Sequence, residues 1–144
     1  MGKTNSFKLN ILKLLFNNVA LPNIGNAGGL QPSSVAGSFY IALFTGDPGE
    51  DGSVTDEATY IGYARKAVAR SIAGWAISAN NCSNTAAIIF AECTGGSDTI
   101  THLAIMTDLS GGNMIYKGQL TVPLIVSSGD IPKFEIGNSD IFEN

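Results

Sequence analysis

The chain has 144 residues, a formal net charge of −4 and 14% charged side chains, against a typical ~25%. One domain of that length buries roughly two-thirds of its unfolded surface without needing a staple. Eight Lys and Arg form no basic stripe, which argues against nucleic acid as a partner, and no apolar run reaches the ~20 residues of a membrane span.

In chain order, residues 6–20 read as an amphipathic helix. Ile11, Leu12, Leu15, Phe16 and Val19 recur at helical spacing, while Lys8, Lys13, Asn17 and Asn18 fall largely off the stripe. Asn5 or Ser6 is expected to cap it, and Pro22 and Gly25 to end it. Lys8, Asn10 and Lys13 interrupt the apolar stretch, so it does not read as a signal peptide, and the product is expected to fold in a reducing cytoplasm. Residues 23–38 are Gly, Asn, Pro and Ser with little to bury, hence an extended arm. A helix on such a tether can dock on its own sheet or reach a neighbouring subunit.

Strands are predicted near 38–45, 63–71, 74–79, 85–90, 99–106, 113–121, 122–127, 132–136 and 139–142. These are short runs rich in β-branched and aromatic residues, separated by Gly-, Asn-, Ser- and Asp-rich turns. Pro123 and Pro132 belong at strand starts or edges, where no ladder N–H is lost. The pattern predicts a mainly β fold: an antiparallel β-sandwich, jelly-roll-like, with one N-terminal amphipathic helix and an extended arm. The expected division is a helix and arm over 1–37 and a sandwich over 38–144.

No constellation in the chain reads as catalytic, and no cofactor or metal is expected. The loop at 46–57 carries Asp47, Glu50, Asp51, Asp56 and Glu57. Against a calcium-loop template, Gly49 and Ala58 stand where two ligands are needed, so a solvated acidic loop is the better reading. Cys82 and Cys93 are eleven positions apart, outside zinc-ligand spacing, and His102 sits on one face of an alternating strand. His102 is also the only base available to a serine nucleophile, and no Gly-x-Ser-x-Gly turn is present. The acceptor pattern at Asn81-Cys-Ser83 has meaning only in a secreted chain. Tyr60, Tyr63, Arg65 and Arg70 lie close in sequence and combine the residue types of interface anchors, although an edge strand blunted by charge explains them equally well. Trp75 is expected to anchor a sheet face.

Several segments taken together resemble a family of small virion proteins of tailed bacteriophages, frequently labelled tail fibre protein. They include the Asn-Ser-Phe helix start with Leu-Leu-Phe, Tyr40-Ile-Ala-Leu-Phe-Thr45 running into Asp47-Pro-Gly-Glu50, and Tyr60-Ile-Gly-Tyr-Ala-Arg65. Ala67-Val-Ala-Arg70, Gly74-Trp75, Ser83-Asn-Thr-Ala-Ala87, Ile100-Thr-His-Leu103 and Gly118-Gln-Leu-Thr121 follow in order. The resemblance implies a structural protein of the particle without enzymatic activity. The chain carries no heptad, collagen or solenoid repeat from which a shaft could be built. It is therefore expected to be a decoration or cement protein on the outer capsid, bridging major capsid subunits and self-associating, with a tail adaptor or fibre base or tip as the alternative. The expected contacts are a clasp by the helix and arm, through Phe7, Leu12, Leu15 and Phe16, and a second surface at Tyr60, Tyr63, Arg65 and Arg70.

Overall fold

Thirteen residues near the N-terminus form the helix α1 (Asn5–Asn17). The structure, a computed structural model, describes residues 1–143. Thr4 caps the helix in place of Asn5 or Ser6. It holds extended backbone one step before the first turn, and its Oγ1 accepts from the Phe7 N–H at 3.3 Å. The helix ends at Asn17 and not at residue 20. Asn18 turns left-handed (φ 54°) and donates its backbone N–H to the Lys13 carbonyl, a conformation asparagine tolerates better than most residues.

The strands are β1 (Ser38–Phe44), β2 (Lys66–Ala69), β3 (Trp75–Ser78), β4 (Asn81–Asn84) and β5 (Ile88–Ile89). They continue as β6 (Ser97–Met106), β7 (Met114–Ser127), β8 (Lys133–Phe134) and β9 (Ile141–Phe142). One sheet has the order β2-β1-β6-β7, another β3-β4-β9, and a third pairs β5 with β8. The ladders β1–β6, β6–β7, β3–β4 and β4–β9 are all antiparallel. The fold class is thus mainly antiparallel β with one N-terminal helix. A jelly roll distributes eight strands over two sheets; here the sheets hold four, three and two.

Two compact units make up the chain. The first contains Met1–Ser38, Ala69–Ala87 and the C-terminal residues from Phe134; the second contains Phe39–Val68 and Ile88–Lys133. This line differs from a boundary at residue 37, because the helix buries its apolar stripe on β3 and β4 from the middle of the chain. In that first unit Leu12 and Phe16 are fully buried, and the Phe16 ring meets Trp75 edge-on at 4.9 Å. β4 is the central strand of its sheet, although residues 80–84 fall between the strands expected near 74–79 and 85–90. Burial decides otherwise, since Cys82 and Asn84 both point inward. Asn84 is satisfied there: its Nδ2 donates to the Ala86 and Glu135 carbonyls, and its Oδ1 accepts from the Ser139 N–H.

The arm after the helix is pinned to the same unit. Leu21 and Leu30 exchange two backbone bonds, closing a loop in which Asn26 Oδ1 accepts from Gly28 and Gly29. Gly29 has φ +64°, and a Cβ there would overlap the Leu21 carbonyl, so no other residue fits. Asn18 and Ser33 are joined by two hydrogen bonds of 2.8 and 2.9 Å.

In the second unit β1 and β6 lie at the sheet centre, in register through Ile41↔Ile105, Ala42↔Ala104 and Leu43↔Leu103. Ile41, Ala42, Leu43 and Phe44 are buried in succession, so the sheet is covered on both faces at this point. Ala42, Phe44, Ala104 and Met106 form a core cluster, with Tyr40 and Met114 packed against it. β7 is one strand where two were expected. Between the pairs Ile100↔Leu124 and His102↔Gln119, Thr101 alone faces residues 120–123 of β7. This bulge takes in Pro123 without breaking the strand.

Candidate interaction surface

The eight residues nominated from the sequence separate into two groups. Phe7, Leu12, Leu15, Phe16 and Arg70 belong to the first unit; Tyr60, Tyr63 and Arg65 belong to the second. Arg65 and Arg70 are five positions apart yet serve different hydrogen-bond networks.

Arg65 is buried and makes a two-pronged pair with Glu57, from Nε to Oε1 at 2.7 Å and from Nη2 to Oε2 at 2.8 Å. Its Nη1 donates to the carbonyls of Asp108 and Gly111 at 2.8 and 2.7 Å. The Tyr63 hydroxyl donates to Glu57 Oε1 at 2.8 Å and accepts from the Leu43 N–H at 3.1 Å. Asp98 Oδ2 accepts from the Thr59 and Tyr60 N–H groups, and the Tyr60 and Tyr63 rings meet edge-on. These side chains bind the loops around residues 57–65 and 108–111 to the sheet of their own unit.

Burial works against the Glu57 carboxylate, but hydrogen bonds from Arg65 and Tyr63 outweigh it and hold its pKa below the ordinary value. Burial and the Glu57 charge push the Tyr63 phenol up, so it stays a donor. A carboxylate depressed in the folded state contributes stability that is complete above its unfolded pKa, about 4.3. That contribution is lost as pH falls through the folded value. Thermal unfolding followed down from neutral pH should therefore show Tm falling less steeply below pH ~4 in Glu57→Gln than in the native chain. Equal slopes would mean Glu57 gains nothing from its partners.

Arg70 holds the helix end. Its guanidinium donates to the carbonyls of Leu14, Leu15 and Ala36, with longer bonds to Ser33 and Asn18. The last carbonyls of a helix have no internal partner, and a cation placed there also opposes the helix dipole. The helix expected to clasp a neighbour is thus docked on its own sheet. Removing residues 1–25 takes away Leu12 and Phe16 and uncovers Trp75, so that deletion reaches the chain's own core. Of the four nominated helix residues, Phe7 and Leu15 keep part of their surface.

The acidic loop is tied down by a lysine. Lys117 Nζ lies 2.9 Å from Asp47 and 3.2 Å from Glu50, and Asp47 also accepts from the Gly49 N–H. Among the described residues no group of three or more His, Cys, Asp and Glu is disposed to hold a metal. Cys82 and Cys93 are buried thiols in different units, and burial pushes the Cys82 thiol up to about 12. His102 Nδ1 faces Thr101 Oγ1 at 2.9 Å. No described helix is long and apolar enough to cross a membrane.

The surface that sequence reasoning passed over is β7. Val122 and Ile125 leave 74% and 69% of their surface exposed on this one long strand. The available signal was Gly118, a glycine inside an apolar alternation with no turn beside it.

Sparse charge, buried ionic groups spent on the chain's own loops, and exposed β-branched side chains on an edge strand characterise this mainly antiparallel β protein. Residues 4–141 match the Gp80 family, podophage GP4 fiber I protein gp80, and the chain belongs to that family. Among the curated proteins none matches it. The resemblance read from the sequence segments is borne out by the family match, and the protein is a structural component of a phage particle.

Proposed function

We propose that this protein is a compact subunit of a tail fibre assembly, at its base or tip, and that it acts by burying surface against neighbouring proteins without catalysing a reaction. The observation that carries this reading is the family match over 138 of 144 residues to a protein described as a fibre component. The low charge of 14% fits it, because interface cores are depleted of charged side chains. Its partners are then tail proteins and further copies of itself.

Decoration of the outer capsid, bridging major capsid subunits, is the second reading. It is favoured by the lack of any shaft-forming repeat in the chain, and a cement stabilises a shell by binding its assembled form. Antibody labelling of intact particles under the electron microscope separates the two. A few copies at the tail vertex are expected; label spread across the whole shell would replace the fibre reading with the capsid one. Turnover of a host polysaccharide by the purified chain would defeat both.

A further inference from the structure

The acidic loop at 46–57 contains the chain's one Asp-Gly step, Asp51-Gly52. Glycine puts no side chain in front of its own nitrogen, so that nitrogen can reach the carboxyl carbon of the preceding aspartate. The other aspartates are followed by Pro48, Glu57, Thr99, Leu109, Ile131 and Ile141. Proline has no N–H to give up, and the rest crowd the nitrogen with a Cβ.

Three features of the structure leave Asp51 open to this reaction. It is exposed, and among the described residues its carboxyl takes part in no hydrogen bond or ion pair. By contrast, Asp47, Asp98 and Asp130 accept from backbone N–H groups, and Asp108 accepts from the Thr107 hydroxyl. The Gly52 N–H is held loosely, donating to the Gly49 carbonyl at 3.3 Å, past the usual range. Finally, its surroundings fix residue 52 as glycine. Its φ is +65°, and a Cβ there would stand 3.1 Å from the Met114 Cβ. The turn requires the residue that makes the step labile.

We propose that Asp51 is a site of spontaneous isomerisation to isoaspartate, a slow covalent modification that ages the protein. The Gly52 nitrogen attacks Asp51 Cγ. The N–Cγ bond forms, the bond from Cγ to one carboxyl oxygen breaks, and that oxygen leaves as water with the amide and acid protons. Water then adds to the old main-chain carbonyl of the five-membered imide and breaks its bond to the Gly52 nitrogen. The main chain now runs through Cγ, and the old carbonyl carbon becomes a free carboxyl. One water is lost and one regained, nothing is oxidised or reduced, and mass is unchanged. The product is one methylene longer at the turn that seats Gly52 against Met114. A component of a released particle is not resynthesised, so the change accumulates. This holds whether the chain sits on tail or shell.

The test keeps the full chain warm at neutral pH for several weeks, then digests it with a protease that cuts before aspartate but not before isoaspartate. An uncut peptide spanning 47–55, at unchanged mass, is the expected product. Labelled methyl transfer to that peptide by an isoaspartyl methyltransferase measures its amount. Asp51→Glu keeps the charge at an exposed position, but its imide ring would have six members and close more slowly. Methyl uptake by the 47–55 peptide should be at least ~10-fold lower in that variant. A native chain still cut fully before Asp51 after that time overturns the inference, and so does Asp51→Glu taking up as much methyl as the native chain.

Discussion

Replacing Arg65 with alanine should destabilise the protein by about 3–5 kcal/mol, the range for removing one partner of a buried ion pair. Its side chain is 5% exposed and that of Glu57 17%, so the carboxylate left behind has little water to turn to. The Asp108 and Gly111 carbonyls lose their donor in the same step, but both residues are exposed and water can take its place, so the stranded carboxylate carries the cost. Urea unfolding followed by circular dichroism measures the loss. The double variant Glu57→Gln with Arg65→Met should cost less than Arg65→Ala, because it strands no charge. A single-variant loss below ~1 kcal/mol would show that the pair is solvated and that Arg65 is surface-like in its energetics.

Phe16→Ala should be the other costly change, at about 3–5 kcal/mol for a fully buried aromatic side chain. The phenyl ring is the helix's main contribution to the core of its unit and lies 4.9 Å from the Trp75 ring. Trp75 is the only tryptophan, so its fluorescence reports directly on this contact. Emission should shift to the red in Phe16→Ala as water reaches the indole. Unchanged emission together with unchanged stability would mean the helix does not cover Trp75 in solution. Trp75→Phe should be far milder than Trp75→Ala, since the indole Nε1 makes no hydrogen bond that phenylalanine would lose.

The interface expectations show how far local pattern reaches. Tyr60, Tyr63, Arg65 and Arg70 have the composition of an anchor cluster, yet the structure spends Arg65 on Glu57 and Arg70 on the end of α1. Composition says that such side chains seek partners; it is silent on whether those partners are in the same chain. Glu57 is eight residues from Arg65, but the Asp108 carbonyl is 43 away and the Leu14 carbonyl is 56 from Arg70. Separations of that size leave no trace in a local window.

By itself the sequence determined the helix, through its 3.6-residue stripe, most strand positions, through β-branched runs between turns, and membership of a phage structural family. Tertiary structure decided that the polar run at Asn81–Asn84 is a central strand, that β7 continues through Pro123, and that the helix docks at home. The reason is physical. Periodicity states which side of an element must leave water, a local property. What covers that side, and which carbonyl a buried guanidinium meets, depends on residues far along the chain that folding alone brings near.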